Sequence, residues 1–344
     1  LGPIVAAVFG WIPVFLWIVL GTVFIGAVHD TGALYTSIRH RAKSIAEILK
    51  DNVGISGKKL FAAFAWLTLI LVLAVFTVVV AGTFVSIPSV ATSSILFIVL
   101  AILFGYFVSR RGAPLAVTSV IGVVLLALCV WLGVLFPLSL PFTAWVFLLL
   151  GYAFIAASLP VWLILQPRDY LNSFLLYGFL IAAVIGIFAT NPTIKLPAFT
   201  SFETDLGYLF PILFVTVACG AISGFHSIVS SGTTSKQLSS EAHVKPIGFG
   251  GMLLECLLAV IALTTVAYLL LGDYQALLKE VGWGGVFSHG IGNFLTSIGI
   301  PLAVGMGFGG LVLSAFALTT LDTATRLCRF LFVELSEKEE GKPA

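Results

Sequence analysis

Long apolar runs, cut by short polar or proline-containing segments, dominate the chain from Trp11 to Thr325. No Asp, Glu, Lys, Arg or His occurs between Leu60 and Ser109, or between Gly112 and Gln166. A helix crossing the ~30 Å hydrocarbon core takes about 20 mostly apolar residues, so each stretch is long enough for two crossings. Ser86-Ile87-Pro88-Ser89 divides the first, and Pro137, Ser139 and Pro141 divide the second. The same reading along the whole chain predicts about nine transmembrane helices, over 11–28, 60–86, 92–108, 114–134, 143–165, 172–190, 208–228, 248–271 and 301–325. The runs are far longer than a barrel strand and show no period-two alternation, which argues against a membrane β-barrel. The expected class is an all-α, polytopic integral membrane protein, with residues 1–344 forming a single transmembrane domain.

Composition fits that pattern. Of 344 residues, 60% are hydrophobic and only 9% are charged, against roughly 45–50% and 25% in ordinary soluble domains. So few charges cannot solvate a globule of this size, and the apolar content excludes a disordered chain. A formal net charge of +2 points to no nucleic-acid partner. The lipid bilayer is the partner the composition implies; the sequence leaves the oligomeric state open. Placing residues 29–59 in the cytoplasm puts 15 of the 17 Lys and Arg on that side, leaving Lys195 and Lys279 opposite. Such a bias is what the positive-inside rule demands. It predicts a cytoplasmic C-terminal tail (329–344), a cytoplasmic amphipathic connector (31–59) with a turn at Gly54 and Gly57, and an external segment (273–300). Cys129, Cys219, Cys256 and Cys328 are isolated in or beside apolar runs and read as small buried hydrophobes. No Walker motif, metal-ligand spacing or nucleophile elbow is present. Neither a metal nor another cofactor is expected.

Candidate chemistry lies where helices are interrupted. Lipid offers no hydrogen bonds to unpaired N–H and C=O groups, so irregular backbone survives only against protein or an aqueous cavity. Gly2-Pro3 precedes the first span, and Ser158-Leu159-Pro160 lies inside the fifth. The third interruption is the densest. It runs from Gly220 through Ser223, Gly224 and His226 to Ser230, Ser231, Gly232, Thr233 and Thr234. Its small residues permit close helix approach, and its hydroxyls can coordinate a cation or a carboxylate. Ionisable groups within spans are costly unless paired or hydrated. His226 can titrate near neutral pH, and Glu255 has no obvious partner in sequence. Asp322 and Arg326 are four residues apart, the spacing of a same-face ion pair. The glycines of Gly305-Met306-Gly307-Phe308-Gly309-Gly310 read as a helix-packing face, since no strand precedes them.

Five runs together resemble the carbon starvation protein A (CstA) family over nearly the whole chain. They are Gly2-Pro3-Ile4; Gln166-Pro167-Arg168-Asp169-Tyr170-Leu171; Ala218 to His226; Ser230-Ser231-Gly232-Thr233-Thr234; and Leu318 to Arg326. The span ending in Asp30 and the basic run Arg39-His40-Arg41 add to the resemblance. Family members are inner-membrane solute transporters associated with peptide and pyruvate uptake when carbon is scarce, and are grouped with the amino acid–polyamine–cation superfamily. The resemblance implies an inverted-repeat (LeuT/APC-like) fold lacking its N-terminal part. Gly2-Pro3 would then end that fold's first broken helix. Its second broken helix would fall on 143–165, and its eighth on the Gly/Ser/Thr run.

The expectation is a non-enzymatic secondary active transporter in the cell inner membrane. It would import short peptides or a small carboxylate such as pyruvate, coupled to H⁺ or Na⁺. Gly2, Pro3, Ser158, Leu159, Pro160, Ser223, Gly224 and His226 are the expected substrate-binding residues. Ser230, Ser231, Thr233, Thr234, Glu255 and Asp322 are the expected ion-coupling residues. The alternative is an intramembrane enzyme or sensor subunit built on His226, Glu255 and Asp322 as a buried polar constellation. A plain membrane anchor explains none of the interruptions.

Overall fold

A computed structural model describes residues 2–336 except Val161. A short helix α1 (Gly2–Ala6) and one 3-10 turn lead through Gly10 into α2 (Trp11–Gly21). A π-helical turn over Thr22–Gly26 joins α2 to α3 (Ala27–Arg39) without a stop. Then follow α4 (Ile45–Val53), α5 (Ile55–Ser86), α6 (Pro88–Arg111), α7 (Leu115–Leu135), α8 (Phe142–Ser158) and α9 (Leu165–Thr190). A two-residue hairpin, β1 (Glu203–Thr204) with antiparallel β2 (Gly207–Tyr208), precedes three short pieces: α10 (Leu209–Thr216), α11 (Ala218–Ile222) and α12 (Gly224–Gly232). Three long helices complete the fold: α13 (Val244–Ala267), α14 (Leu271–Thr296) and α15 (Leu302–Ser336).

Seven helices among the described residues are long and apolar enough to cross a membrane. They coincide with seven of the nine expected stretches. The other two are those read from sequence as interrupted: 143–165 yields the 17-residue α8 and then a turn, and 208–228 is cut into pieces. Large apolar side chains such as Phe154, Phe188 and Leu60 stand on the outer surface, as in a protein solvated by lipid tails.

Helix α15 is central and packs against α5, α8, α9 and α14. Its glycines form the packing face read from sequence. A Cβ at Gly305 would lie 2.9 Å from the Gly292 Cα, and one at Gly309 would lie 3.2 Å from the Ser288 Cα. Backbones this close are the small-residue packing by which membrane helices associate when no hydrophobic effect drives them together.

Several boundaries differ from the sequence reading. The first span runs on through α3, so the connector 31–59 holds only one separate helix, α4, whose Ser44 side chain accepts from the Glu47 N–H. Gly54 makes the turn after it at φ 93°, whereas Gly57 is already inside α5. Segment 273–300 folds as α14, broken at Gly282 (φ 66°, ψ 172°). The half after the break is largely buried, from Gly285 to Leu295. Its glycines and Ser288 make it too polar to read as a span, yet these small residues let it sit against α15. Of the tail 329–344, residues 329–336 continue α15, and 337–344 lie outside the described residues.

Candidate functional site

The N-terminal interruption is satisfied by protein. At Gly10 the chain turns with φ 99°, and the freed Trp11 and Ile12 N–H groups donate to the Pro197 and Ala198 carbonyls at 3.1 Å. Gly2 abuts the Thr216 carbonyl so closely that any Cβ would collide with it, and Pro3 is buried. Helix α1, with Gly2, thus packs on the α10–α11 junction.

Helix α10 stops at Val217 and α11 stops at Ser223, which has φ −52° and ψ 108°. This second break brings ionisable residues together. The buried Asp30 carboxylate of α3 lies 3.2 Å from His226 Nδ1 on α12 and 3.1 Å from His29 Nδ1. Glu255 of α13 accepts a long contact from the Cys219 thiol at 3.8 Å. Thr22 donates to the Gly220 carbonyl at 3.0 Å, securing α11 against the π-turn. Ser223 immediately precedes α12 without a side-chain capping bond, and its carbonyl accepts from the His226 N–H at 3.2 Å. Gly224 opens the helix on its exposed side. Asp30 is a site residue that the sequence reading placed only at the end of a span; its position beside His226 is tertiary.

The third break separates α8 from α9. Ser158 is exposed and spends its hydroxyl on the Phe154 carbonyl of its own helix, and Pro160 is exposed too. The Leu159 carbonyl accepts from Arg326 Nη2 at 3.1 Å, as does that of Ala156 at 3.2 Å. A guanidinium on α15 therefore satisfies the carbonyls orphaned where α8 ends. The i, i+4 spacing suggested an Asp322–Arg326 pair; the structure pairs Asp322 with Arg168 instead, at 2.5 Å. Arg168 is 0% exposed in the second turn of α9, where the sequence reading placed a cytoplasmic loop. Its partners are Asp322, the Tyr152 hydroxyl at 2.7 Å and the Ala315 carbonyl at 3.3 Å. Tyr152 also donates to Asp322 at 2.8 Å, and Asn172 donates to Thr319 at 2.7 Å. Sequence could have flagged Arg168 only through its place in the Gln166–Leu171 run.

The α8–α9 break and the C-terminal end of α12 border one cavity of about 500 Å³. Gln166, Asp169 and Trp162 from the α8–α9 side face Thr233, Thr234 and Gln237 beyond α12, with Thr323 of α15 beside them. Thr233 and Thr234 thus line this cavity together with Gln166, Asp169 and Gln237. Ser231 is buried, donates to the Ile228 carbonyl at 3.3 Å, and borders a second cavity of about 400 Å³ among α4, α12 and α15, with Ser44, Lys236, Arg329 and Glu334 on the same wall. Ser230 lies one helical turn beyond His226, the i, i+4 relation that places two residues on one face. No group of three or more potential ligands for a metal occurs among the described residues.

The sequence matches the family model described as Carbon starvation protein CstA over residues 1–282 and 274–343. It is 35% identical to the peptide transporter CstA of Bacillus subtilis, covering 96% of this chain and 62% of that protein. Identity to the pyruvate/proton symporter BtsT of Escherichia coli is 38%, over 80% of this chain and 40% of that protein. The peptide transporter CstA of Escherichia coli is 32% identical, over 97% and 57%. The chain thus spans about half the length of the relatives it matches. No solved structure matches it. With a multi-pass helical fold and a family match along nearly its whole length, the chain belongs to the carbon starvation protein CstA family.

Proposed function

We propose that this chain forms the solute pathway of a secondary active transporter that imports a small carboxylate or a short peptide with a co-transported proton. The observation that carries the reading is a cavity between the α8–α9 break and the end of α12, where Gln166, Asp169, Thr233, Thr234, Gln237 and Thr323 stand among apolar side chains. In lipid, unwound backbone and ionisable side chains persist at such places because a solute or water passes there. The relatives named for peptide transport and for pyruvate–proton symport support the same reading.

Between H⁺ and Na⁺, the arrangement favours H⁺. Asp30, His226 and Glu255 gather at the α11–α12 break, and imidazole and carboxylate exchange protons readily. Ser231, one of the hydroxyls expected to hold a cation, is instead bound within its own helix. His226 and Thr233 are seven residues apart along α12, about 10 Å at 1.5 Å per residue, so a proton released at His226 has a short route to the cavity. The cell inner membrane and a cytoplasmic C-terminus are part of the proposal. Reconstituted protein, given labelled pyruvate or dialanine with an imposed H⁺ or Na⁺ gradient, tests it. Accumulation driven by the H⁺ gradient is expected; gradient-independent behaviour toward both solutes would refute it.

A further inference from the structure

Among the described residues, the buried polar atoms without a hydrogen-bond partner concentrate around one ion pair. They include Arg168 Nε, Asp322 Oδ1, Asn172 Oδ1 and Arg326 Nε. Native interiors leave few such atoms, and one aimed at nothing calls for an explanation. Arg168 spends Nη1 on Asp322 and Tyr152, while Nη2 reaches only the Ala315 carbonyl at 3.3 Å. The Nε–Nη2 edge of the guanidinium is therefore largely unspent, and that edge is a fork whose two N–H groups match the two oxygens of a carboxylate. Asp322 is complementary: Oδ2 takes both of its hydrogen bonds and Oδ1 takes none. The pair itself is buried, while the next residue of each helix, Asp169 after Arg168 and Thr323 after Asp322, lines the cavity.

We infer that Arg168 is the carboxylate-recognising residue of the pathway and that Asp322 is its exchangeable counter-ion. Resting on the transport reading above, this names the substrate class as compounds with a free carboxylate, the head group that pyruvate and a peptide C-terminus share. In the solute-free protein the guanidinium is neutralised by Asp322. One proton adds at Asp322 Oδ1, where no existing hydrogen bond has to break. The neutral acid leaves Arg168 with an unbalanced positive charge, costly in this dry interior, and the substrate carboxylate balances it at the Nε–Nη2 edge. Total charge is the same before and after, so one proton and one carboxylate are taken up together, and neither is well held without the other. The titratable groups that face Asp322 are Arg168 and Asp169 of α9, Tyr152 of α8 and Arg326 of its own helix. Of these, Arg168 is the one within ion-pair distance.

The test is binding of labelled pyruvate and of dialanine to the purified, full-length protein, each compared with its uncharged amide, together with uptake in proteoliposomes. The wild type should take up about one proton per carboxylate bound and should ignore the amides. Arg168→Gln should weaken carboxylate binding at least about tenfold, as expected for truncating one partner of a desolvated charge pair, with Arg168→Lys intermediate. Asp322→Asn, a neutral stand-in for the protonated acid, should bind the carboxylate with no pH dependence between pH 5 and 8. It should exchange solute across the membrane yet fail to accumulate it against a pH gradient. Where a single variant does not fold, the neutral pair Arg168→Gln/Asp322→Asn serves, and should fold but bind neither carboxylate. The inference is overturned if the amides compete as well as the acids, if Asp322→Asn keeps wild-type pH dependence, or if either Arg168→Gln variant binds like the wild type. Wild-type protein that binds carboxylates as described but moves no solute refutes the transport reading instead.

Discussion

Arg326 offers a sharp test of how the α8–α9 break is held. Replacing it with Leu removes the guanidinium that donates to the Ala156 and Leu159 carbonyls at 3.2 and 3.1 Å. Hydrogen bonds involving a charged group contribute about 1.5–3 kcal/mol each. Two therefore set an upper bound of about 3–6 kcal/mol, and sharing one nitrogen places the expected loss near the lower end. The effect should be local as well as global, because the two carbonyls would otherwise face a hydrocarbon or protein interior at the end of α8, where no further helical turn can satisfy them. Hydrogen exchange followed by mass spectrometry should show faster exchange in peptides covering residues 152–160, and thermal unfolding in detergent should shift downward. Arg326→Lys keeps the charge and can reach one carbonyl, so it should recover about half the loss. A double-mutant cycle distinguishes this from an Asp322–Arg326 ion pair: the coupling between Arg326 and Asp322 should be smaller than that between Arg168 and Asp322. Unchanged exchange around residues 152–160 in Arg326→Leu would refute the capping argument, and a dominant Asp322–Arg326 coupling would restore the pairing suggested by their spacing.

Other outcomes follow from the same geometry. Gly305→Ala places a Cβ 2.9 Å from the Gly292 Cα; forcing two helix backbones apart should cost about 1–3 kcal/mol, read as a lower unfolding temperature, whereas Gly272→Ala, with open space around it, should be nearly silent. His226→Gln or Asp30→Asn should reduce H⁺-driven accumulation by about 5–150-fold, the range of typical coupling energies, while solute exchange without a gradient persists. Asp169→Asn should raise the KM for dialanine more than for pyruvate, because the cavity carboxylate can pair with an ammonium group that pyruvate lacks; equal effects on both would count against that role.

Sequence alone determined the class of this protein. Apolar runs too long for any barrel strand, with charges expelled to their ends, admit few solutions other than spanning helices, since lipid cannot hydrate a bare backbone. The same physics marked Ser158-Leu159-Pro160 and the run from Gly220 among its three interruptions, and the structure ends α8 at Ser158 and divides the later stretch at Val217 and Ser223. The glycine face of α15 was legible too, because close packing needs residues without side chains. What sequence could not decide was pairing. Arg168 and Asp322 are 154 residues apart and Asp30 and His226 are 196 apart, so no spacing rule connects them. The rule that did apply, i to i+4, joined Asp322 to the wrong arginine, because a buried guanidinium goes where carbonyls or carboxylates are orphaned, and only the folded chain shows where helices end beside one another. For segment 273–300 the sequence supplied an external stretch too apolar and glycine-rich for a plain loop, and only contact with α15 reveals that its residues are small because another helix lies against them.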